Sequence, residues 1–71
     1  MDFVGPLILK ILKMSETPMT LLSINYHVNE KSGKIVNLNI IKSSVRSLVD
    51  SNKISERIDK ENEIAYYKLI L

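Results

Sequence analysis

The sequence predicts an α+β fold in which a three-helix core is followed by a C-terminal β-hairpin. Three observations predict it. Apolar residues recur at helical spacings of three and four in three successive stretches. The C-terminal segment then switches to a period of two on either side of a polar tetrapeptide. Finally, 71 residues suffice for one domain with one modest core.

Leu7, Ile8, Ile11 and Leu12 define the first helix, with Lys10 and Lys13 on its other side, so it is expected from Asp2 or Pro6 to Met14. Pro6 fits a first turn, where its missing N–H has no intrahelical partner to lose. Ser15-Glu16-Thr17-Pro18 breaks the period, and either Thr17 or Thr20 can cap a second helix over residues 19–29. The stripe expected to be buried on that helix is Leu21, Leu22, Ile24 and Val28. Residues 30–34 read as a polar loop that turns at Gly33.

Leu38, Ile41, Val45, Leu48 and Val49 share one face of a third helix, which Asn37 can cap. Asn52 lies just past its end and is the residue type, after glycine, best able to take a left-handed conformation there. Two strands follow at residues 54–59 and 64–71, separated by Lys60-Glu61-Asn62-Glu63. Alternation groups Ile54, Glu56 and Ile58 on one face of the first, and Ala65, Tyr67, Leu69 and Leu71 on one face of the second. The adjacent Tyr66 and Tyr67 point to opposite faces, and Tyr67 is expected inside because it shares a face with Leu69.

Apolar residues at 45% and charged residues at 25% argue for an ordered globular chain, because disorder requires too little hydrophobicity to offset chain entropy. Cysteine is absent, which excludes a disulfide framework, a thiolate metal site and a redox motif, and fits an intracellular, cytoplasmic setting. The N-terminal apolar run starts with an acid and is interrupted by Lys10 and Lys13, so neither a signal peptide nor a membrane span is expected. All 71 residues are expected to form a single domain.

Three helices and then a hairpin is the element order of a winged helix. The stretch Ile41-Lys42-Ser43-Ser44-Val45-Arg46-Ser47-Leu48-Val49-Asp50-Ser51-Asn52-Lys53-Ile54 resembles the third helix and first wing strand of winged-helix regulators such as the multiple-antibiotic-resistance repressor family. Ala65-Tyr66-Tyr67-Lys68-Leu69 is similar to the last wing strand of many such domains. The chain departs from that family at Asn52, where glycine is usual, and in lacking the extra dimerisation helices of the repressors. The resemblance implies binding of double-stranded DNA through the third helix, with Asn39, Lys42, Ser43 and Arg46 as contacts.

The residues support that role on their own chemistry. With Ile41, Val45 and Leu48 inward, a 100° step per residue turns Asn39, Ser43, Arg46 and Ser47 outward, with Lys42 at the flank. Arginine can bond bidentately to guanine and asparagine to adenine, serine can reach bases or phosphate, and lysine neutralises phosphate. Lys34 before the helix and Arg57 and Lys60 on the wing are candidates for the flanking backbone. Residues 1–53 carry seven bases against four acids, whereas residues 54–71 carry three against four, which makes the wing mildly acidic. So few basic groups favour a homodimer reading two half-sites, formed through the first helix and the C-terminal strand. Phe3, Val4, Leu9, Ile40, Tyr66 and Ile70 fall off the inward stripes and are candidates for that surface.

No catalytic group, metal site, cofactor or small-molecule substrate is expected. His27 is the only histidine and has no second ligand at metal spacing, and Ser43, Ser44 and Ser47 have no histidine base in their element. Glu61 and Glu63 sit at a hairpin tip, where carboxylates are solvated. One Gly33 does not make a phosphate loop. The competing expectation is a winged helix that holds another protein through its apolar surface and acidic wing, since the fold alone does not separate the two roles.

Overall fold

A computed structural model describes residues 3–70. Its elements are α1 (Val4–Met14), β1 (Met19–Thr20), α2 (Leu21–Ser32), α3 (Leu38–Asp50), β2 (Ile54–Asp59) and β3 (Ile64–Leu69). The strands form one antiparallel sheet in the order β1-β3-β2, so the chain is a winged helix. The expected start at Asp2 and the inward place of Leu71 lie outside the described residues.

Local chemistry accounts for each boundary. α1 starts at Val4 and carries Pro6 in its first turn, as its missing donor allows. Thr20, of the two expected caps, accepts a hydrogen bond from the Ser23 N–H at 3.3 Å and opens α2. This helix runs three residues further than the sequence suggests. Gly33, not residue 30, ends it, taking φ 68° and donating its N–H to the Asn29 carbonyl. Asn37 opens α3 by accepting from the Asn39 N–H at 2.7 Å. At the other end Asn52 stands at φ 60°, with Asn52 N–H donating to the Val49 carbonyl and Lys53 N–H to the Leu48 carbonyl, both at 3.0 Å. That paired bonding satisfies two orphan carbonyls and reverses the chain into β2 within three residues.

The core joins Val4, Ile8, Ile11 and Leu12 of α1, Ile24 and Val28 of α2, and Ile41, Val45 and Leu48 of α3 to Met19, Val36, Ile54 and Tyr67. Leu38 and Val49, expected inside with α3, are half-buried at the edges of its stripe. Val36 is anchored by donating its N–H to the Asn29 side-chain oxygen, which ties the α2–α3 connection to α2.

Three expectations are corrected here. Leu22 is not on the buried stripe of α2. It is 69% exposed because it stands about 160° from Ile24 at the helical step, whereas Leu21 stays on the core side. Met19 and Thr20 belong to a strand and not to α2, since β3 offers them partners at Tyr67 and Tyr66. Val4 is buried in the core instead of lying off it, while Phe3, Ile40 and Ile70 remain exposed and Leu9 and Tyr66 are half-buried.

The hairpin has the expected alternation. Ile54, Glu56 and Ile58 pair with Leu69, Tyr67 and Ala65 across the sheet, so all six share the face turned toward the helices. Burial falls along it as the hairpin leaves the core, from Ile54 at 1% exposed to Ile58 at 60%. The tip is set by Asp59, whose carboxylate accepts from the backbone N–H groups of Glu61 and Asn62 and from the Asn62 side chain. These bonds, the Asn62 side chain foremost, hold the Asp59 pKa below its ordinary value.

Candidate functional site

α3 packs through Ile41, Val45 and Leu48, which fixes what its other side presents. Asn39, Lys42, Ser43, Arg46 and Ser47 are all exposed on that side, and so is Asp50 at its end. Four of the expected residues, Lys42, Ser43, Arg46 and Ser47, line one open groove of about 650 Å³. Leu21, Val45, Asp50, Ser51 and Tyr67 complete its walls, so α2 and β3 help to shape it.

The remaining expected residues lie elsewhere. Asn39 is on the same helix but does not line the groove. Lys34 lines a separate hollow with Phe3, Pro6, Leu7, Lys10 and Ser32, its Nζ 5.4 Å from the centre of the Phe3 ring. Arg57 sits on the sheet face opposite Glu56 and stacks its guanidinium over Tyr66 at 5.0 Å. Lys60 is exposed at the hairpin tip.

What Arg46 touches does not follow from its place on α3. Its Nη2 donates to Glu56 Oε2 at 2.9 Å, and the Tyr67 hydroxyl donates to the same oxygen at 2.8 Å. Glu56 and Tyr67 are directly opposed in the β2–β3 register, so the sheet fixes the carboxylate and the carboxylate fixes the arginine. The signal was present: alternation places Glu56 between Ile54 and Ile58 on the inward face, where a carboxylate needs a partner.

The electrostatics follow from these bonds. The Tyr67 hydroxyl, and secondarily Arg46, hold the Glu56 carboxyl below its ordinary pKa against the opposing effect of burial. Burial, reinforced by the bond to Glu56, pushes the Tyr67 phenol up to about 12. The hydrogen bond and charge of Glu56 raise Arg46 further above its already high value. Lys42 and Arg46 thus share the groove region with Asp50 and Glu56, two positive groups against two negative ones.

Among the described residues no cluster of three His, Cys, Asp or Glu side chains is placed to hold a metal ion. His27 meets Tyr26 edge to face at 5.4 Å and is half-buried. No helix among them is long and apolar enough to cross a membrane.

No family model and no curated protein matches the sequence. Among solved structures, the whole chain is similar to the crystal structure of the ferric uptake regulator (Fur) of Vibrio cholerae, with a TM-score of 0.81 at 12% sequence identity. That structure was described for a rearrangement of its DNA-binding domains. The likeness covers 100% of this chain and 53% of the regulator, so the chain spans about half of that protein's length. At such low identity the shared property is the fold, a winged helix.

Proposed function

We propose that this protein binds double-stranded DNA through α3, as a small transcriptional regulator. One observation carries the reading: α3 turns Asn39, Lys42, Ser43, Arg46 and Ser47 outward, unburied, on a fold similar to that of a regulator with DNA-binding domains. Each of the five can hydrogen-bond to a base edge or a phosphate. In this reading α3 enters the major groove. Lys34, Arg57 and Lys60 meet the flanking backbone, and two copies read two half-sites.

A second reading has its own support. The helix-three cations are offset by Asp50 and Glu56, and Leu22, Tyr26 and Ile40 are exposed on α2 and α3. A groove whose charges balance, on a molecule that also exposes apolar side chains, suits a protein partner.

Fluorescence anisotropy with a random duplex pool across salt concentrations, with the oligomer mass measured in the same buffer, separates the two readings. DNA binding predicts affinity that falls as salt rises and a subset of sequences retained through selection. A folded protein that binds no duplex at low salt overturns the DNA reading and leaves the protein-partner reading standing.

A further inference from the structure

We infer that Glu56 is a positioning residue that makes Arg46 a reader of base edges instead of a phosphate contact. The inference rests on the DNA reading above and deepens it.

The geometry restrains the guanidinium from one side only. Nη2 is bonded to Glu56 Oε2, and the other N–H donors of Arg46 make no further hydrogen bond among the described residues. The anchor is firmer than a surface ion pair, because the glutamate side chain is only 16% exposed and the buried Tyr67 holds the same oxygen, while the arginine side chain is 54% exposed. The result is a planar donor fork held at one terminal nitrogen, Nη2, with its remaining N–H groups open over the groove that Lys42, Ser43 and Ser47 also line.

Charge decides what such a fork can recognise. Affinity for phosphate comes from releasing counterions, and it scales with uncompensated positive charge. Arg46 already has its counter-charge in Glu56, and Asp50 adds to the compensation. A phosphate approaching it would also face the Glu56 carboxylate. A guanine edge is uncharged and presents two acceptors, N7 and O6, so it meets a held fork without that repulsion. Restraint in the free protein lowers the ordering cost of the contact, which favours a matched base over a mismatched one. Glu56 therefore reduces binding to DNA in general and raises the share of binding that depends on sequence.

The test uses a duplex selected from the random pool and a scrambled duplex of equal length, each measured across salt for the wild type, Arg46→Ala with Glu56→Gln, Arg46→Lys, Glu56→Gln alone and Tyr67→Phe, with circular dichroism to establish folding. Combined with Glu56→Gln, so that no uncompensated carboxylate is left behind, Arg46→Ala is expected to weaken the selected duplex roughly tenfold or more and to leave the scrambled duplex and the salt slope nearly unchanged. Arg46→Lys should not restore the selected affinity, because an ammonium lacks the fork. Glu56→Gln should tighten the scrambled duplex and steepen the salt dependence by about one ion, shrinking the ratio between the two duplexes. Tyr67→Phe, which loosens the same carboxylate, should shift that ratio in the same direction and serves if Glu56→Gln does not fold. An equal loss on both duplexes in the charge-balanced Arg46→Ala, Glu56→Gln double variant, with a salt slope shallower by about one, makes Arg46 a phosphate contact and overturns the inference while the DNA reading stands. A wild type that binds neither duplex overturns both.

Discussion

The Tyr67 hydroxyl links the stability of the wing to alkaline pH. Burial and the bond to Glu56 raise this phenol from its ordinary 10.0 to about 12, so the folded protein keeps a proton that the unfolded chain gives up. A group raised in this way contributes fully below the unfolded value and loses its contribution as pH rises through the folded one. Two units correspond to an upper value of about 2.7 kcal/mol, of which about 2 kcal/mol is lost by about pH 11.5. Urea unfolding followed by circular dichroism at about pH 9 and about pH 11.5 measures the loss, and the difference in tyrosinate absorbance between the wild type and Tyr67→Phe shows when the group ionises. The comparison that isolates Tyr67 is with Tyr67→Phe. That variant should be weaker near neutral pH by about 1.5–3 kcal/mol, the usual worth of a hydrogen bond to a charged group, yet lose less on going to alkaline pH. If Tyr67→Phe and the wild type lose stability equally between the two conditions, ionisation of Tyr67 is not responsible and the reasoning fails.

Other expectations follow from the same packing. Ile41→Ala empties a fully buried position on α3 and should cost about 2–5 kcal/mol in chemical denaturation, whereas Leu22→Ala on the exposed side of α2 should stay within about 0.5 kcal/mol. Asn52→Val places a β-branched residue at φ 60° and should destabilise by about 1–2 kcal/mol in the same assay, while Asn52→Gly should fold at least as well as the wild type. Glu56 is held below its ordinary value of 4.5, so the stability its charge supplies is present above that pH and lost as pH falls through the lower folded value. An acid titration of stability should show this loss in the wild type and a shallower one in Glu56→Gln.

What the sequence made legible was whatever depends on neighbours in the chain. The stripe of Ile41, Val45 and Leu48, the cap at Asn37, the left-handed Asn52 and the inward Tyr67 each follow from a local period or a backbone preference, and each is in place. β1 was not legible, because two residues carry no period and Met19 and Thr20 become a strand only when β3 comes alongside. The extension of α2 to Ser32 was hidden by a polar run that reads as a loop, although Gly33 was already marked as its turn. Leu22 keeps apolar company in the sequence, but its angle on the helix turns it outward. At the candidate site the exposed face of α3 could be read, but the restraint on Arg46 could not, since it joins residues ten apart across a helix and a sheet. The same limit applies to Lys34, before α3, and Arg57, on the wing, whose ring partners Phe3 and Tyr66 come from contacts the sequence does not display.

The tight reversal after α3 has a mechanical consequence. Only residues 51–53 separate the helix from β2, they are closed by backbone bonds to Ser47, Leu48 and Val49, and the Arg46–Glu56 contact bridges the same two elements a few residues further on. Helix and hairpin are thus joined at two points, like a lever riveted twice, and neither can swivel without dragging the other. Whatever docks on α3 meets a surface whose angle to the wing was set when the chain folded, so association spends little of its free energy on arranging the two.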